Sequence, residues 1–156
     1  TKGTDELADV NMPELLDRFF EAETLNFQPV DEAVESLTML ADHAQIIILT
    51  NLPLAQRDQR IENLKSHGID YPVIVGSGPK GPAVKHITSK MTAPVFFLDD
   101  IFHNIDSVAD HAPDTYCIHM IADKRLRTMM GPAKKASARI DDWADARTWI
   151  LQKLTD

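Results

Sequence analysis

The sequence predicts an α/β fold: a parallel sheet between two helical layers, joined by right-handed crossovers, in a three-layer α/β/α sandwich. Apolar runs of strand length alternate with helical stretches along the chain. Two of these runs, Gln45–Leu49 and Val95–Leu98, read as strands buried on both faces. The second ends on Asp99 and Asp100. A buried parallel strand has no reason of its own to finish on two like charges, each of which raises the other's pKa and resists desolvation. In an open parallel sheet the carboxyl ends of the strands are where ligands sit, so a bound cation is the simplest reason for twin acids there.

Thr1–Asn11 is polar and irregular. Pro13 suits the start of a helix that runs on through Phe20, with Leu15, Leu16, Phe19 and Phe20 as its apolar stripe. Pro29 breaks the chain, and Asp31 or Val30 opens a second helix with Ala33, Val34, Leu37 and Leu40 on one side. Gln45–Leu49 is apolar and β-branched and stops at Thr50-Asn51. Leu54–Ser66 reads as a helix with Ile61 and Leu64 facing in, closed by Gly68. Tyr71–Val75 is a strand, Gly76–Pro82 a tight loop, and Pro82 begins the helix Ala83–Lys90. After Val95–Leu98 come a helix around Ile101–Ala109 and the strand Thr115–Ile121. Lys124–Met130 is a short helix stopped by Gly131-Pro132. Ala138–Ile140 is a very short strand, and Asp141 or Asp142 caps the last helix, Trp143–Leu154, for which Trp143 and Trp149 supply packing.

Composition bounds the function. At 156 residues, with 44% hydrophobic and 26% charged, the chain has the make-up of one soluble globular domain. A formal charge of −8 disfavours nucleic acid and anionic membranes as partners. The basic run Lys124-Arg125-Leu126-Arg127 reads as a solvated helix face. No apolar run approaches the ~20 residues of a membrane span. Cys117 is the sole cysteine, so no intrachain disulfide forms, and its strand-like neighbours Tyr116 and Ile118 make it a core thiol. With no signal-peptide pattern at Thr1–Val10, a cytoplasmic protein is expected. Nothing in the sequence indicates an oligomer.

The strand ends carry the chemistry. Thr50-Asn51, the loop leading to Lys80, and Asp99-Asp100 fall on one rim of a parallel sheet. A hydroxyl and the backbone N–H groups at a helix N-terminus suit phosphate oxygens. A lysine ammonium suits the charge of a phosphoryl group and its nucleophile. Two carboxylates suit Mg²⁺, a hard cation that takes oxygen ligands and keeps several waters. Lys80 is preferred to Lys85 and Lys90 because it precedes its helix, on the strand-end side. Asn51 has a competing reading as a helix cap, and Asn104, just past the acids, as an ordinary helix polar residue. His103 reads as a surface residue, and the other histidines show no ligand spacing.

The order Ile46–Asn51, then Lys80-Gly81-Pro82-Ala83-Val84-Lys85, then Phe96–Asp100 resembles the second, third and fourth motifs of the haloacid dehalogenase-like (HAD) superfamily, over roughly Pro29 to Leu154. That resemblance implies a Rossmann-like sheet and a Mg²⁺-dependent phosphatase acting on small phosphomonoesters through an aspartyl-phosphate. It implies that Thr50, with Asn51, holds a phosphoryl oxygen and that Lys80 neutralises the nucleophile and the transferring group. It gives Asp99 and Asp100 the magnesium and Asn104 a supporting place. Receiver domains use the same residue types, but there the acid pair comes first in the chain; here it comes last.

The family's first motif, Asp-x-Asp on a first strand, is not found. Asp5 and Asp9 follow no apolar strand. In the family that strand lies mid-sheet, between the strands that here end at Thr50 and Asp100. Its absence would leave unpaired backbone groups at ~1–3 kcal/mol each, so a polypeptide extending upstream of Thr1 is expected to carry the strand and the nucleophile. The expected organisation is residues 1–28 as an N-terminal segment, a remnant of at most a minimal cap, and 29–156 as a core lacking its first strand. The competing expectation is a catalytically inactive HAD-like binding or interaction module.

Overall fold

The computed structural model describes residues 11–156. Helix α1 (Met12–Glu23) starts where Asn11, in extended backbone, accepts the Glu14 N–H, and Pro13 sits in the first turn, where a missing N–H costs nothing. Its apolar stripe enters no core: Leu15, Leu16 and Phe19 stay 51%, 48% and 49% exposed. The rings of Phe19, Phe20 and Phe27 pack on one another instead. A single 3-10 turn, Thr24–Asn26, follows. This unit is moored to helix α3 (Arg57–Ser66) by Asn63, which is fully buried and donates to the carbonyls of Leu25 (3.1 Å) and Phe27 (2.9 Å).

Helix α2 (Ala33–Ala41) begins after Asp31 rather than at it, because Glu32 adopts a left-handed backbone (φ 62°) and the Ala33 N–H closes a turn onto the Val30 carbonyl. Strand β1 (Ile48–Thr50) pairs in parallel with β2 (Val73–Val75), in the register Ile48↔Val73 and Thr50↔Val75. Both strands are shorter than their apolar runs, and β1 is half-buried along its length. Between them α3 ends as Gly68 takes φ +82°, its N–H bonding to Lys65 and that of Ile69 to Leu64, which satisfies two terminal carbonyls.

Helix α4 (Gly81–Thr88) then leads to β3 (Val95–Asp99), α5 (Phe102–His111) and β4 (Thr115–His119). After the short α6 (Lys124–Arg127) and β5 (Ala138–Arg139) comes α7 (Trp143–Thr155), capped by Asp142 accepting from the Asp145 N–H. Strands β3 and β4 are parallel, Val95↔Thr115 through Asp99↔His119, and β4 and β5 are parallel as well. The fold is therefore mixed α/β with parallel pairing throughout. The single sheet expected from the alternation is, among the described residues, two: β1-β2 and β3-β4-β5. The chain returns from β2 through α4 and sets β3 down without pairing it to β1.

Packing joins the two sheets where hydrogen bonds do not. On one side, Leu37, Leu64, Ile69 and Val73 pack with Ile46, Ile48 and Trp143, and Leu40 and Ile150 pack with Ile46, Phe96 and Leu98. On the other, Val84, Ile105 and Val108 pack with Leu49, Phe97 and Cys117. Trp149 lies edge-on to Phe96 and Tyr116, the packing role expected of it. Among the described residues no helix is long and apolar enough to cross a membrane.

The basic run at α6 departs from its reading as a solvated face. Arg125 is exposed, but Arg127 turns inward and donates to the carbonyls of Ile121, Ala122 and Asp141. Beside it Asp141 takes the Ile121 N–H and pairs with Arg139. Partial burial pushes the Asp141 carboxyl up, but the Arg139 hydrogen bond, the Ile121 N–H and the charges of Arg139 and Arg127 outweigh it, and the group lies below its usual range.

Two outcomes follow from this packing. Asn63→Ala removes a buried amide from two carbonyls and is expected to cost about 1–3 kcal/mol in urea denaturation. Cys117 is wholly buried, and burial, followed by the nearby Asp106 charge, pushes its thiol up to about 11. Iodoacetamide at pH 8 is expected to leave the native chain unlabelled and to alkylate it fully in denaturant, read by intact mass.

Candidate functional site

Lys80 occupies the position before α4, and its place is set by the glycine that follows. The Gly81 N–H donates to Ser107 Oγ (3.2 Å), and a Cβ at Gly81 would fall 2.3 Å from the Ser107 carbonyl oxygen. Only glycine lets α4 approach α5 this closely. From there Lys80 Nζ reaches Asp99 Oδ2 at 2.6 Å, with 14% and 3% of the two side chains exposed. The lysine follows β2 and the aspartate ends β3, so this ion pair links one sheet to the other.

The Asp99 carboxylate is fully engaged. Oδ1 accepts the Ile101 N–H (2.8 Å), and Asn104 Nδ2 lies 3.2 Å from Oδ1 and 3.3 Å from Oδ2. Asn104 is buried, as its reading as a support for the acids requires. Asp100 contrasts with its neighbour: it is exposed, and among the described residues its carboxylate accepts no hydrogen bond. Its backbone is held instead. His119, wholly buried at the end of β4, donates from Nε2 to the Asp100 carbonyl (3.0 Å), and its Nδ1 accepts the Ala133 N–H (3.0 Å). An accepting Nδ1 places the ring proton on Nε2.

Thr50 and Asn51 reach this rim from β1. The Gly76 N–H donates to the Thr50 carbonyl (2.8 Å), and Asn51 Nδ2 donates to the Gly78 carbonyl (2.8 Å). Asn51 therefore ties its loop to the one carrying Lys80 and does not cap a helix; the 3-10 turn Leu54–Gln56 and α3 start beyond it. The structure thus brings Lys80, Asp99 and Asn104 into direct contact. It sets Asp100 beside them and joins Thr50-Asn51 to them through the Gly76–Gly78 backbone. No hydrogen bond links the Thr50 hydroxyl to the acids among the described residues.

A cavity of about 350 Å³ opens at the ends of β3 and β4, lined by Asp99, Asp100 and Asp123 with Ile121, Leu126 and Trp143. The side-chain hydrogen bond from Arg125, reinforced by the Arg125 N–H, holds the Asp123 carboxyl down to about 2, and Asp123 pairs with that arginine at the surface. Among the described residues no group of three or more His, Cys, Asp or Glu is placed to hold a metal. The free donor at the rim is Asp100. An exposed carboxylate is an oxygen donor of the kind a hard cation such as Mg²⁺ takes, and Asp100 is the residue here that could offer it. Lys85, Lys90 and His103 are exposed, while Asp5 and Asp9 lie outside the described residues.

His119 is the residue that motif spacing misses. Its partners are backbone atoms, so no ligand pattern betrays it; the available signal was a polar residue ending the strand that pairs with the acid-bearing one.

The ion pair generates a test. Lys80→Met leaves a buried carboxylate without its counter-charge and is expected to cost about 3–5 kcal/mol, whereas adding Asp99→Leu is expected to recover a large part of the loss. Urea unfolding of the single and double variants measures this, and additive costs would deny the coupling. No protein-family model and no curated protein sequence matches the chain.

Proposed function

We propose that the rim is the active site of a Mg²⁺-dependent phosphatase of the HAD-like superfamily, acting on small phosphomonoesters. The observation that carries the reading is the buried Lys80–Asp99–Asn104 cluster with the open carboxylate of Asp100 beside it. The finer architecture belongs to the same proposal. Helices packed against opposite faces of both sheets support a three-layer Rossmann-like sandwich, with α1 as the remnant of a minimal cap.

Each residue has a distinct task. Lys80 has three N–H donors; one goes to Asp99 and the others serve phosphoryl oxygens. Thr50 offers a hydroxyl from the end of β1, and Asn51 holds the neighbouring loop in place. Asp99 fixes Lys80 and orients its neighbour, and Asp100 holds the cation, with Asn104 locking the Asp99 carboxylate. Bound Mg²⁺ supplies charge stabilisation to the transferring phosphoryl group. The nucleophilic carboxylate belongs to a segment outside the described residues.

A second reading, a non-catalytic HAD-like binding module, draws on the complete saturation of Asp99 and the single open acid. One assay separates the two. Hydrolysis of p-nitrophenyl phosphate by protein made from its full coding sequence is expected to need Mg²⁺, stop with EDTA, and fall at least a hundredfold in Asp100→Asn. Mg²⁺ binding by calorimetry without turnover favours the module. Turnover indifferent to both EDTA and Asp100→Asn removes the assigned metal site.

A further inference from the structure

The cavity of about 350 Å³ beside the acids has two unlike parts. One end is carboxylate: Asp99, already paired with Lys80, and Asp100. The rest is apolar, with Leu98 from β3, Met120 and Ile121 from the chain leaving β4, Leu126 from α6, Trp143 from the first turn of α7 and Val30 from the turn before α2. Among the described residues Asp123 is the one further polar side chain on the wall, and Arg125 pairs with it. Neither Lys80 nor Thr50 lines the space, so it lies beside the phosphoryl seat rather than in it. Val30 and Leu126 remain 44% and 42% exposed, so part of the wall is apolar surface open to water. From this wall we infer that the group carried by the phosphoryl ligand is apolar, uncharged and ring-sized: an aryl or arylalkyl phosphomonoester. The inference rests on the reading of the rim as a phosphoryl site.

The wall sets the class of ligand. An apolar group entering the cavity gains by leaving water and by covering Val30 and Leu126, and Trp143 supplies an aromatic partner for a ring. The hydroxyls of a sugar would exchange water for side chains that neither donate nor accept, an unreturned cost at each one. A second phosphate or a carboxylate fares worse. Among the described residues no Lys, Arg or His lines the space, and the charged groups on its wall are carboxylates. Size agrees with chemistry. About 350 Å³ is the small end of ligand pockets, which run ~300–1,000 Å³, and it suits a ring better than a nucleoside.

The apolar wall is also held in place before any ligand arrives. Arg127, the residue after Leu126, donates to the carbonyls of Ile121 (2.8 Å), Ala122 (3.2 Å) and Asp141. Asp141 Oδ1 in turn accepts the Ile121 N–H (3.0 Å). The next residue, Asp142, caps α7 by taking the Asp145 N–H (3.0 Å), which fixes Trp143 in the first turn. Ile121, Leu126 and Trp143 come from three parts of the chain and are tied together through one arginine. That arginine spends its donors on backbone and does not line the cavity, so the bracing adds no charge to the wall. A site built this way loses little freedom when it is filled.

Benzyl phosphate and glycerol 1-phosphate test the inference, because both are esters of primary alcohols and differ in the group that meets the cavity. Hydrolysis breaks the same P–O bond in each, with water supplying an oxygen to phosphorus and a proton to the released alcohol. With Mg²⁺ and protein made from its full coding sequence, kcat/KM is expected to favour benzyl phosphate by roughly thirtyfold or more, and Leu126→Asp to cut that preference roughly tenfold. Benzylphosphonate, whose C–P bond is not hydrolysed, reads binding without turnover. It is expected to change tryptophan emission where inorganic phosphate does not, and Trp143→Phe, which leaves Trp149 in place, is expected to abolish the change. Equal turnover of the two esters, a preference for glycerol 1-phosphate, or a benzyl preference that Leu126→Asp leaves intact overturns the inference and leaves the phosphatase reading standing. Benzylphosphonate bound at Trp143 with no turnover of either ester upholds the apolar site and removes the phosphatase. Neither turnover nor phosphonate binding removes both.

Discussion

The ion pair between Lys80 and Asp99 is the constraint on which the arrangement turns. It is nearly dry, short, and spans two sheets that share no ladder among the described residues. A buried charge without a partner is among the most costly things a fold can contain, so this contact fixes where β3 ends relative to the loop after β2. Gly81 is part of the same constraint. Any side chain there would drive α4 off α5 and carry the ammonium away from its carboxylate. A packing requirement between two helices and an electrostatic requirement between two strand ends are thereby met by two consecutive residues.

The twin acids divide their labour because their surroundings differ. Asp99 spends its lone pairs on an ammonium, a backbone N–H and an amide. Asp100 is turned outward with its backbone pinned by His119. The pinning group is a neutral imidazole serving as a rigid bridge between the Asp100 carbonyl and the Ala133 N–H, so the loop after β4 helps set the direction of an acid on β3. Like charges at adjacent positions are tolerated because one of them is already neutralised.

Much of this was legible in the sequence, and the failures have physical causes. Strand-length runs read from residue type marked every strand of three residues or more, and the glycine stop after α3 and the aspartate cap of α7 were read the same way. The lengths of β1, β2 and β4 were overestimated because a run such as Gln45–Leu49 records burial, whereas a ladder needs a paired neighbour. The stripe of α1 predicted a core face that the described residues do not cover, since periodicity reports amphipathicity and not what lies opposite. Arg127 and His119 were misjudged or missed, and the cap reading of Asn51 failed, for one shared reason: their partners are backbone atoms of loops, which no spacing rule encodes.

Charge counting at the rim bears on the proposed pairing of a cation with a phosphoryl group. Lys80 and Asp99 cancel, leaving Asp100 to give the spot a net negative charge in reach of water. A phosphoryl group approaching that carboxylate alone would be repelled. Were a divalent ion held on Asp100, the sign would reverse, and the N–H donors of Lys80 that Asp99 does not take would add to the attraction. Had Asp99 been left open instead, two carboxylates would have competed for one ion and the lysine would have been drawn away from the ester. In the proposed site, closing one acid with the lysine and exposing the other would make it anion-repelling when bare and anion-binding once a cation is held. On the proposed reading the order of binding would follow from electrostatics: cation first, ester second.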